Sequence, residues 1–142
     1  MNNLLIIIPA YNEGKNLINL LEKIKSENEN WSIIIVDDSE NLMTNKLIEN
    51  YNNEKIRYVK RNLKMGRGNA VRFGFEYSKK NKFNYTLEMD ADLSHNPHEI
   101  KILLNKLIKY KYDLVIGSRY LKESKIIGWP IQRRIFSKLS NL

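Results

Sequence analysis

The sequence has 142 residues, of which 42% are hydrophobic and 28% charged, as expected for one soluble globular domain. It contains no cysteine, which excludes disulfides, thiolate metal sites and cysteine nucleophiles and favours a reducing, cytoplasmic setting. The net charge of +8 allows phosphate, nucleic-acid or anionic-membrane partners without choosing among them.

The first half of the chain alternates predicted strands and helices. Residues 4–8 form an apolar run that ends at Pro9, which is typical of a strand buried on both faces and is too short to cross a membrane. No cationic segment precedes the run, so we expect no signal peptide. Asn12 is placed to cap the next helix, with Glu13 in its first turn. The other elements predicted here are a helix that buries Leu17, Leu20, Leu21 and Ile24, a strand at 32–36, a helix at 44–51 and a strand at 55–60.

The second half continues the alternation. Residues 84–89 are the fourth predicted strand and residues 113–117 the fifth. Asn96, Pro97 and Glu99 mark the start of a helix. The buried stripe expected of that helix is Ile100, Leu103, Leu104, Leu107 and Ile108. Two further helices are predicted. One opens at Gly66 and Gly68 and runs through Ala70, Phe73 and Tyr77. The other is an amphipathic tail at 129–142, in which Ile131, Ile135, Leu139 and Leu142 oppose Arg133, Arg134 and Lys138.

Strands and helices alternate throughout, with connections long enough for crossovers. The sequence therefore predicts an α/β fold, with a mostly parallel sheet flanked by helices. It shows no internal repeat, low-complexity block or linker, so we predict a single domain over residues 1–142.

Polar residues recur where the predicted strands end. They are Tyr11 and Glu13 after the first strand, Asp37 and Asp38 after the second, Asp90 and Asp92 after the fourth, and Arg119 after the fifth. Because the carboxyl ends of parallel strands share one edge of the sheet, we expect a small-molecule site there. Acids gathered at that edge would repel one another without a cation. An isolated Asp-x-Asp is usually a solvated turn, but at this edge Asp90 and Asp92 become candidate ligands for Mg²⁺ or Mn²⁺.

Basic residues suggest that the ligand is a phosphate ester. The candidate counter-charges are Lys64, Arg67, Arg119 and Arg133. The Gly66-Arg67-Gly68 segment is either an ordinary tight turn or a place where backbone N–H groups approach a phosphate. It lacks the spacing of both nucleotide-loop signatures, which argues against a Rossmann dehydrogenase or a P-loop NTPase.

Three other residues have two interpretations each. His95 and His98 follow the acids and are either metal ligands or, as we favour, surface or capping residues. Tyr11 either stacks on a base or covers the sheet edge. No Ser/His/Asp arrangement supports nucleophilic hydrolysis, and the acids that crowd the site argue against a nucleic-acid partner.

Six motifs follow one another along the chain: IIIPAYNEGKNL, IIIVDDSE, GRGNAVRFGF, MDADLSHNPHEI, DLVIGSRY and GWPIQRR. They occur in the order found in family 2 glycosyltransferases of GT-A fold, which the chain resembles almost from end to end. Within that family the sequence looks most like the dolichol-phosphate (polyprenyl-phosphate) mannosyltransferases. The resemblance implies inverting transfer of a hexose, expected to be mannose from GDP-mannose, to a polyprenyl phosphate. A UDP-sugar donor with a saccharide acceptor, or a nucleotide-sugar-binding module without turnover, is the alternative.

The resemblance also implies roles for individual residues. Asp90 and Asp92 match the DxD motif that binds Mg²⁺ or Mn²⁺ and the donor diphosphate, and Asp92 and Arg119 are the expected catalytic residues. The residues expected to contact the donor are Pro9, Ala10, Tyr11, Glu13, Asp37, Asp38, Gly66, Asp90, Ala91, Arg119 and Arg133.

Two features depart from the family pattern. The loop after Asp38 lacks the usual Pro-Asp-Gly-Thr type of turn, and the sequence ends at Leu142, before the acceptor-side segment with an SGFR-like motif. We therefore expect a fragment, half of a split enzyme or a short variant, with the acceptor-side part missing. The cationic tail is expected either to pack on the core and supply Arg133 or to make a peripheral contact with the membrane that carries the acceptor.

Overall fold

The computed structural model describes residues 3–51, 53–118, 120–121 and 130–139, the last segment without the side chains of Arg133, Arg134, Ile135 and Lys138. Its contacts divide the chain into two compact units, Met1–Ile102 and Leu103–Leu142, each of which is described by itself. The prediction of a single domain stays a prediction.

The described chain contains four strands and five helices. In chain order they are β1 (Leu4–Ala10), α1 (Lys15–Glu27), β2 (Ser32–Asp37), α2 (Met43–Tyr51), β3 (Ile56–Lys60), α3 (Arg67–Lys80), β4 (Tyr85–Glu88), α4 (Glu99–Tyr110) and α5 (Ile131–Leu139). Each of the first four predicted strands agrees with an observed strand to within two residues.

The four strands form one parallel sheet in the order β3-β2-β1-β4. Each parallel connection needs a crossover, and α1, α2 and α3 lie in the three connecting segments. Central strands buried on both faces account for the continuous apolar sequences of β1 and β2. The predicted α/β fold with a parallel, helix-flanked sheet is confirmed.

The core on one face of the sheet is formed by alternate residues of the two central strands together with α3. Its buried members are Leu5, Ile7, Ile34, Val36 and Ala70, with Val59, Tyr77 and Phe83 packed against them. The stripe predicted for α1 is buried in full, because Leu17, Leu20, Leu21 and Ile24 are each at most 1% exposed.

The first strand runs further than predicted, since β1 continues through Pro9 to Ala10. Ile7 accepts a hydrogen bond from Met89 on the β4 side, and the pairing with β4 ends at Ile7 and Glu88. Backbone N–H groups two residues apart in a strand point to the same side, so Pro9, like Ile7, faces the β4 side. Because β4 has already ended there, the absence of an N–H on Pro9 costs no hydrogen bond of the sheet.

The predicted cap of α1 is wrong. The helix begins at Lys15, its N-cap is Gly14, and no side chain caps it. Asn12 has a φ of 59° and donates its N–H to the Ser39 hydroxyl at 2.7 Å, so it belongs to a turn that ties the β1 and β2 loops together. Glu13 precedes the helix instead of lying in its first turn.

The buried face of α3 is made of small residues. Small residues, Ala70, Gly74 and Ser78, are buried at four-residue spacing, whereas Phe73 is 36% exposed. A Cβ atom added to Gly74 would lie 2.5 Å from Ile7 Cγ2, so the helix sits too close to β1 for a large inward side chain.

The fifth predicted strand is wrong. Residues 113–118 are not in a strand, and Leu114 and Ile116 are 72% and 75% exposed. Apolar alternation favours an extended backbone, but a strand also needs a partner for its hydrogen bonds.

In α4, Ile100 is buried while the other four stripe residues are half-buried. Among the described helices, none is long and apolar enough to cross a membrane.

The close packing of α3 on β1 gives a stability prediction. Gly74→Ala is expected to lower the free energy of unfolding by about 2 kcal/mol, because the new methyl group overlaps the buried Ile7 side chain. Gly68→Ala is the matched control, since nothing lies within 4 Å of its Cβ position, and it should change stability by less than about 1 kcal/mol. Urea unfolding measures both, and equal effects of the two substitutions would contradict the packing argument.

Candidate functional site

The order of the strands fixes the place of a ligand site. Along the chain β1, β2 and β3 add successively to one side of the sheet, and β4 then pairs with the other side of β1. The carboxyl ends of β1 and β4 therefore flank a topological switch point, where parallel sheets open a crevice. The segments that leave these two ends carry Tyr11 and Glu13 on one side and Asp90 and Asp92 on the other.

A cleft of about 330 Å³ opens at this switch point. Its lining residues, all in Met1–Ile102, are Pro9, Ala10, Tyr11, Glu13, Asp38, Lys64, Gly66, Arg67, Ala70, Asp90, Ala91 and Asp92. The structure thus brings together most of the residues predicted from the sequence. Asp37 is not among the lining residues, Arg119 lies outside the described residues, and Arg133 lies in α5 with its side chain outside them.

Four carboxylates line the cleft, those of Glu13, Asp38, Asp90 and Asp92. Burial raises the pKa of Glu13, and the negative charges of Asp92 and Asp90 raise it further. Burial alone would also raise the pKa of Asp92, but hydrogen bonds from the Ser94 hydroxyl and N–H outweigh it and leave that pKa below its usual value. Negative charge is therefore concentrated where Glu13, Asp90 and Asp92 line the cleft.

The acids fit a metal that is shared with a ligand better than a metal enclosed by protein. Among residues 3–51, 53–118, 120–121 and 130–139, no three acidic, histidine or cysteine side chains converge as a metal site. Mg²⁺ characteristically takes one or two carboxylates and fills its remaining positions with water and substrate phosphate. Asp90 and Asp92, open to the cleft and two residues apart, fit that mode of binding.

His95 stabilises the turn that carries the acids. Its Nδ1 accepts the backbone N–H of Asp90 at 3.1 Å, and its Nε2 lies 3.9 Å from Asp90 Oδ2. This geometry requires the tautomer with the proton on Nε2. The structural interpretation of His95 is thus favoured. His98 lies on the surface, with its Nδ1 3.2 Å from Glu27 Oε1.

Asp38 is the centre of a buried polar network. Its carboxylate receives Arg61 Nε at 2.5 Å and Nη2 at 2.6 Å, and the N–H groups of Met65 and Gly66 at 3.1 and 3.0 Å. Arg61 also donates to Asn69 on α3. Burial would raise the pKa of Asp38, but the bonds and charge of Arg61 outweigh it and leave that pKa below its usual value.

Asp37 is fully buried beside this network. It accepts hydrogen bonds from the Tyr58 hydroxyl at 2.6 Å and from the Ser39 hydroxyl and N–H. Burial and the neighbouring Asp37 carboxylate raise the pKa of Tyr58, so its phenol stays protonated as a donor. A contact of Asp37 or Asp38 with a nucleoside stays a prediction.

The cations of the cleft have different partners. Arg67, the first residue of α3, donates Nε to Asp90 Oδ1 at 2.9 Å and Nη2 to Glu88. Lys64 Nζ lies 3.9 Å from the centre of the Tyr11 ring, and the Tyr11 hydroxyl donates to Glu40 at 3.0 Å. One face of Tyr11 is thus covered by a cation. Gly66 has a φ of 84° and its N–H is bonded to Asp38, which favours the turn interpretation of the Gly66-Arg67-Gly68 segment.

Sequence reasoning missed two residues that shape the cleft, Arg61 and Glu88. Arg61 follows β3 directly, so the strand-end rule could have placed it at the same edge as Asp38. Glu88 lies two residues before Asp90, and that spacing could have indicated a shared side of the chain.

Comparisons with known proteins agree with the geometry. The family model described as glycosyl transferase family 2 matches residues 5–141. A polyprenol monophosphomannose synthase of Mycolicibacterium smegmatis is 33% identical over 140 residues, which cover 96% of this chain and 52% of that protein. A dolichol-phosphate mannosyltransferase of Pyrococcus furiosus is 36% identical, covering 94% and 38% respectively. An undecaprenyl-phosphate mannosyltransferase of Micrococcus luteus is 31% identical, covering 97% and 57%. The chain spans about half the length, or less, of these curated relatives.

The Asp38–Arg61 pair gives a stability prediction with a defined pH dependence. Asp38→Asn is expected to cost about 3 kcal/mol at pH 7, because the Arg61 guanidinium, only 10% exposed, loses its counter-charge. The pKa of Asp38 is lowered by folding, so its contribution is present above the unfolded pKa of about 4 and is lost as the pH falls through the folded value. Urea unfolding between pH 7 and pH 2.5 should show the parent and the variant converging.

The exposed pair of Arg72 and Glu76 on α3 supplies the control. Glu76→Gln should cost less than about 1 kcal/mol at pH 7. A stability gap between the parent and Asp38→Asn that stays constant with pH would contradict the assignment of the gap to ionised Asp38.

Proposed function

Because the chain belongs to glycosyl transferase family 2, we propose that it transfers mannose from GDP-mannose to a polyprenyl phosphate, assisted by Mg²⁺ or Mn²⁺. The observation that carries the proposal is the cleft itself, where Asp90 and Asp92 share the sheet's switch point with Lys64 and Arg67. The names of the three relatives support the sugar and the class of acceptor.

The donor diphosphate accounts for both signs of charge in the cleft. Asp90 and Asp92 would hold the divalent cation, and Lys64 and Arg67 would receive phosphate oxygens that the cation does not cover. The bound cation would supply Lewis-acid stabilisation of the negative charge that develops on the leaving nucleoside diphosphate. Arginine and lysine at the same place stabilise that charge without moving a proton.

The proposed reaction is a single displacement at the sugar's anomeric carbon. An oxygen of the acceptor phosphate forms a bond to that carbon, while the bond from the carbon to the diphosphate breaks and its electron pair leaves with the diphosphate. Attack opposite the leaving group inverts the anomeric centre. The acceptor phosphate is already an anion near neutral pH, so the step needs no general base. This agrees with His95 being engaged by the backbone of Asp90.

A lipid acceptor requires the protein to meet a membrane, and α5 is the element that we propose for this contact. Its Ile131, Phe136 and Leu139 are 76%, 71% and 61% exposed. The amino-acid sequence of this helix also contains three basic residues, Arg133, Arg134 and Lys138. A cationic amphipathic helix of this kind can lie at the surface of an anionic bilayer.

A second candidate function is a module that binds the donor without turnover. The chain spans 52%, 38% and 57% of the three relatives, yet every lining residue of the cleft lies in Met1–Ile102. Donor binding and transfer are therefore tested separately. A UDP-sugar donor with a saccharide acceptor is a further outcome of the same tests.

Calorimetry with GDP-mannose and UDP-glucose, each with and without Mn²⁺, tests the donor. We expect GDP-mannose to bind at least tenfold more tightly with Mn²⁺, since the cation links the diphosphate to Asp90 and Asp92. Asp92→Ala should abolish this metal dependence. Glu54→Ala, an exposed acid next to the opposite end of the sheet where β3 begins, should keep it. Equal binding with and without Mn²⁺ for both donors would contradict the proposal.

Transfer is tested by incubating the chain with radiolabelled GDP-mannose, Mn²⁺ and vesicles that contain a polyprenyl phosphate. Lipid-linked mannose is expected for the parent and for Glu54→Ala, and at least a hundredfold less for Asp92→Ala, because the leaving diphosphate would lose its main charge stabilisation. Sedimentation of the same vesicles measures the proposed contact through α5. Metal-dependent donor binding without product would favour the binding module over the enzyme.

A further inference from the structure

Arg67 occupies the carboxylate that the proposed function assigns to the metal. Its Nε donates to Asp90 Oδ1 at 2.9 Å, and its Nη2 is bonded to Glu88 Oε1. The guanidinium thus bridges two acids that lie two residues apart at the end of β4. Of these two acids, Asp90 lines the cleft and Glu88 does not.

The Arg67 guanidinium and a divalent cation compete for the Asp90 carboxylate. A metal ligated by this carboxylate would need the oxygen that Arg67 now contacts, or would lie within a few ångströms of a like charge. Entry of the metal is therefore opposed for as long as Arg67 stays on Asp90. A nucleoside diphosphate that enters with the metal changes this balance, because it offers the guanidinium phosphate oxygens in the same cleft.

We propose that Arg67 is an internal counter-ion that holds Asp90 while the donor is absent and exchanges it for the donor diphosphate when the metal enters. The inference rests on the proposed function, in which Asp90 and Asp92 bind the metal. It assigns to Arg67 a positioning role that couples the two ligands, so that metal binds weakly alone and tightly together with a diphosphate.

The surroundings of Arg67 permit such an exchange. The Arg67 side chain is 56% exposed, and Glu88, its second partner, is only 26% exposed. Glu88 can therefore keep hold of the guanidinium while the contact with Asp90 is given up. The other cations near the cleft are differently placed, since Arg61 is 10% exposed and locked to Asp38, and Lys64 lies over the Tyr11 ring.

The test measures Mn²⁺ binding to the whole chain by calorimetry and by electron paramagnetic resonance of free Mn²⁺, with and without GDP or UDP. Arg67→Gln removes the guanidinium charge and is expected to bind Mn²⁺ alone about tenfold more tightly than the parent. The factor by which GDP tightens Mn²⁺ binding should fall by a similar amount, since the parent's coupling includes the release of Asp90.

Two matched variants separate charge from structure. Arg67→Lys keeps a positive charge at the same position and should stay within about threefold of the parent. Arg72→Gln removes an exposed arginine of the same helix that pairs with Glu76, and should match the parent. If Arg67→Gln does not keep the parent's urea midpoint, Arg67→Ala, which favours the helix, takes its place in the comparison.

The outcomes distinguish this inference from the function on which it rests. If Mn²⁺ and GDP still bind together, but Arg67→Gln binds Mn²⁺ alone no more tightly than the parent, the role of Arg67 is overturned and the proposed function stands. If the parent binds neither Mn²⁺ nor a nucleoside diphosphate in the presence of the other, the proposed function fails and this inference fails with it.

Discussion

The buried pair of Asp38 and Arg61 is the interaction on which the geometry of the cleft depends. It joins the carboxyl end of β2 to the segment that follows β3, and Met65 and Gly66 donate to the same carboxylate. Those four contacts fix the start of α3. A buried ion pair contributes little net stability compared with a well-packed apolar pair, so its main effect is to determine position. Here it determines where Arg67 begins its helix.

The cleft is a balance of opposite charges arranged around a change in strand order. β4 adds to the side of β1 away from β2 and β3, so the segments after β1 and β4 leave the sheet on either side of an opening. Acids lie on those two segments, the basic residue Lys64 lies in the loop between β3 and α3, and Arg67 is the first residue of α3. The arrangement suits a ligand that carries negative phosphate and a divalent cation together. A net charge of +8 spread evenly over the surface would not have this selectivity.

Local patterns predicted the elements that depend on local chemistry. Continuous apolar runs identified β1 and β2, and apolar residues at i, i+3, i+4 and i+7 identified the buried stripe of α1. The resemblance to glycosyl transferase family 2 is confirmed by a match over residues 5–141, and the strand-end rule identified most of the lining residues.

The sequence did not reveal features that are set by residues distant in the chain. The inward face of α3 is small because Ile7 is so close, and residues 113–117 have strand composition but no strand. The pairing of Arg67 with Glu88 and Asp90 depends on how α3 meets β4, which no local pattern contains.

The small inward face of α3 has a consequence for the speed at which the cleft responds. Ala70, Gly74 and Ser78 bring the helix so close to the sheet that its first turn has little freedom to slide or tilt. Any rearrangement of Arg67 is then confined to rotations about its own side-chain bonds. Exposed side chains change rotamer in picoseconds to nanoseconds, whereas helix shifts and domain closure take microseconds or longer. The move of Arg67 from Asp90 to a diphosphate would then be fast enough not to delay ligands that arrive by diffusion.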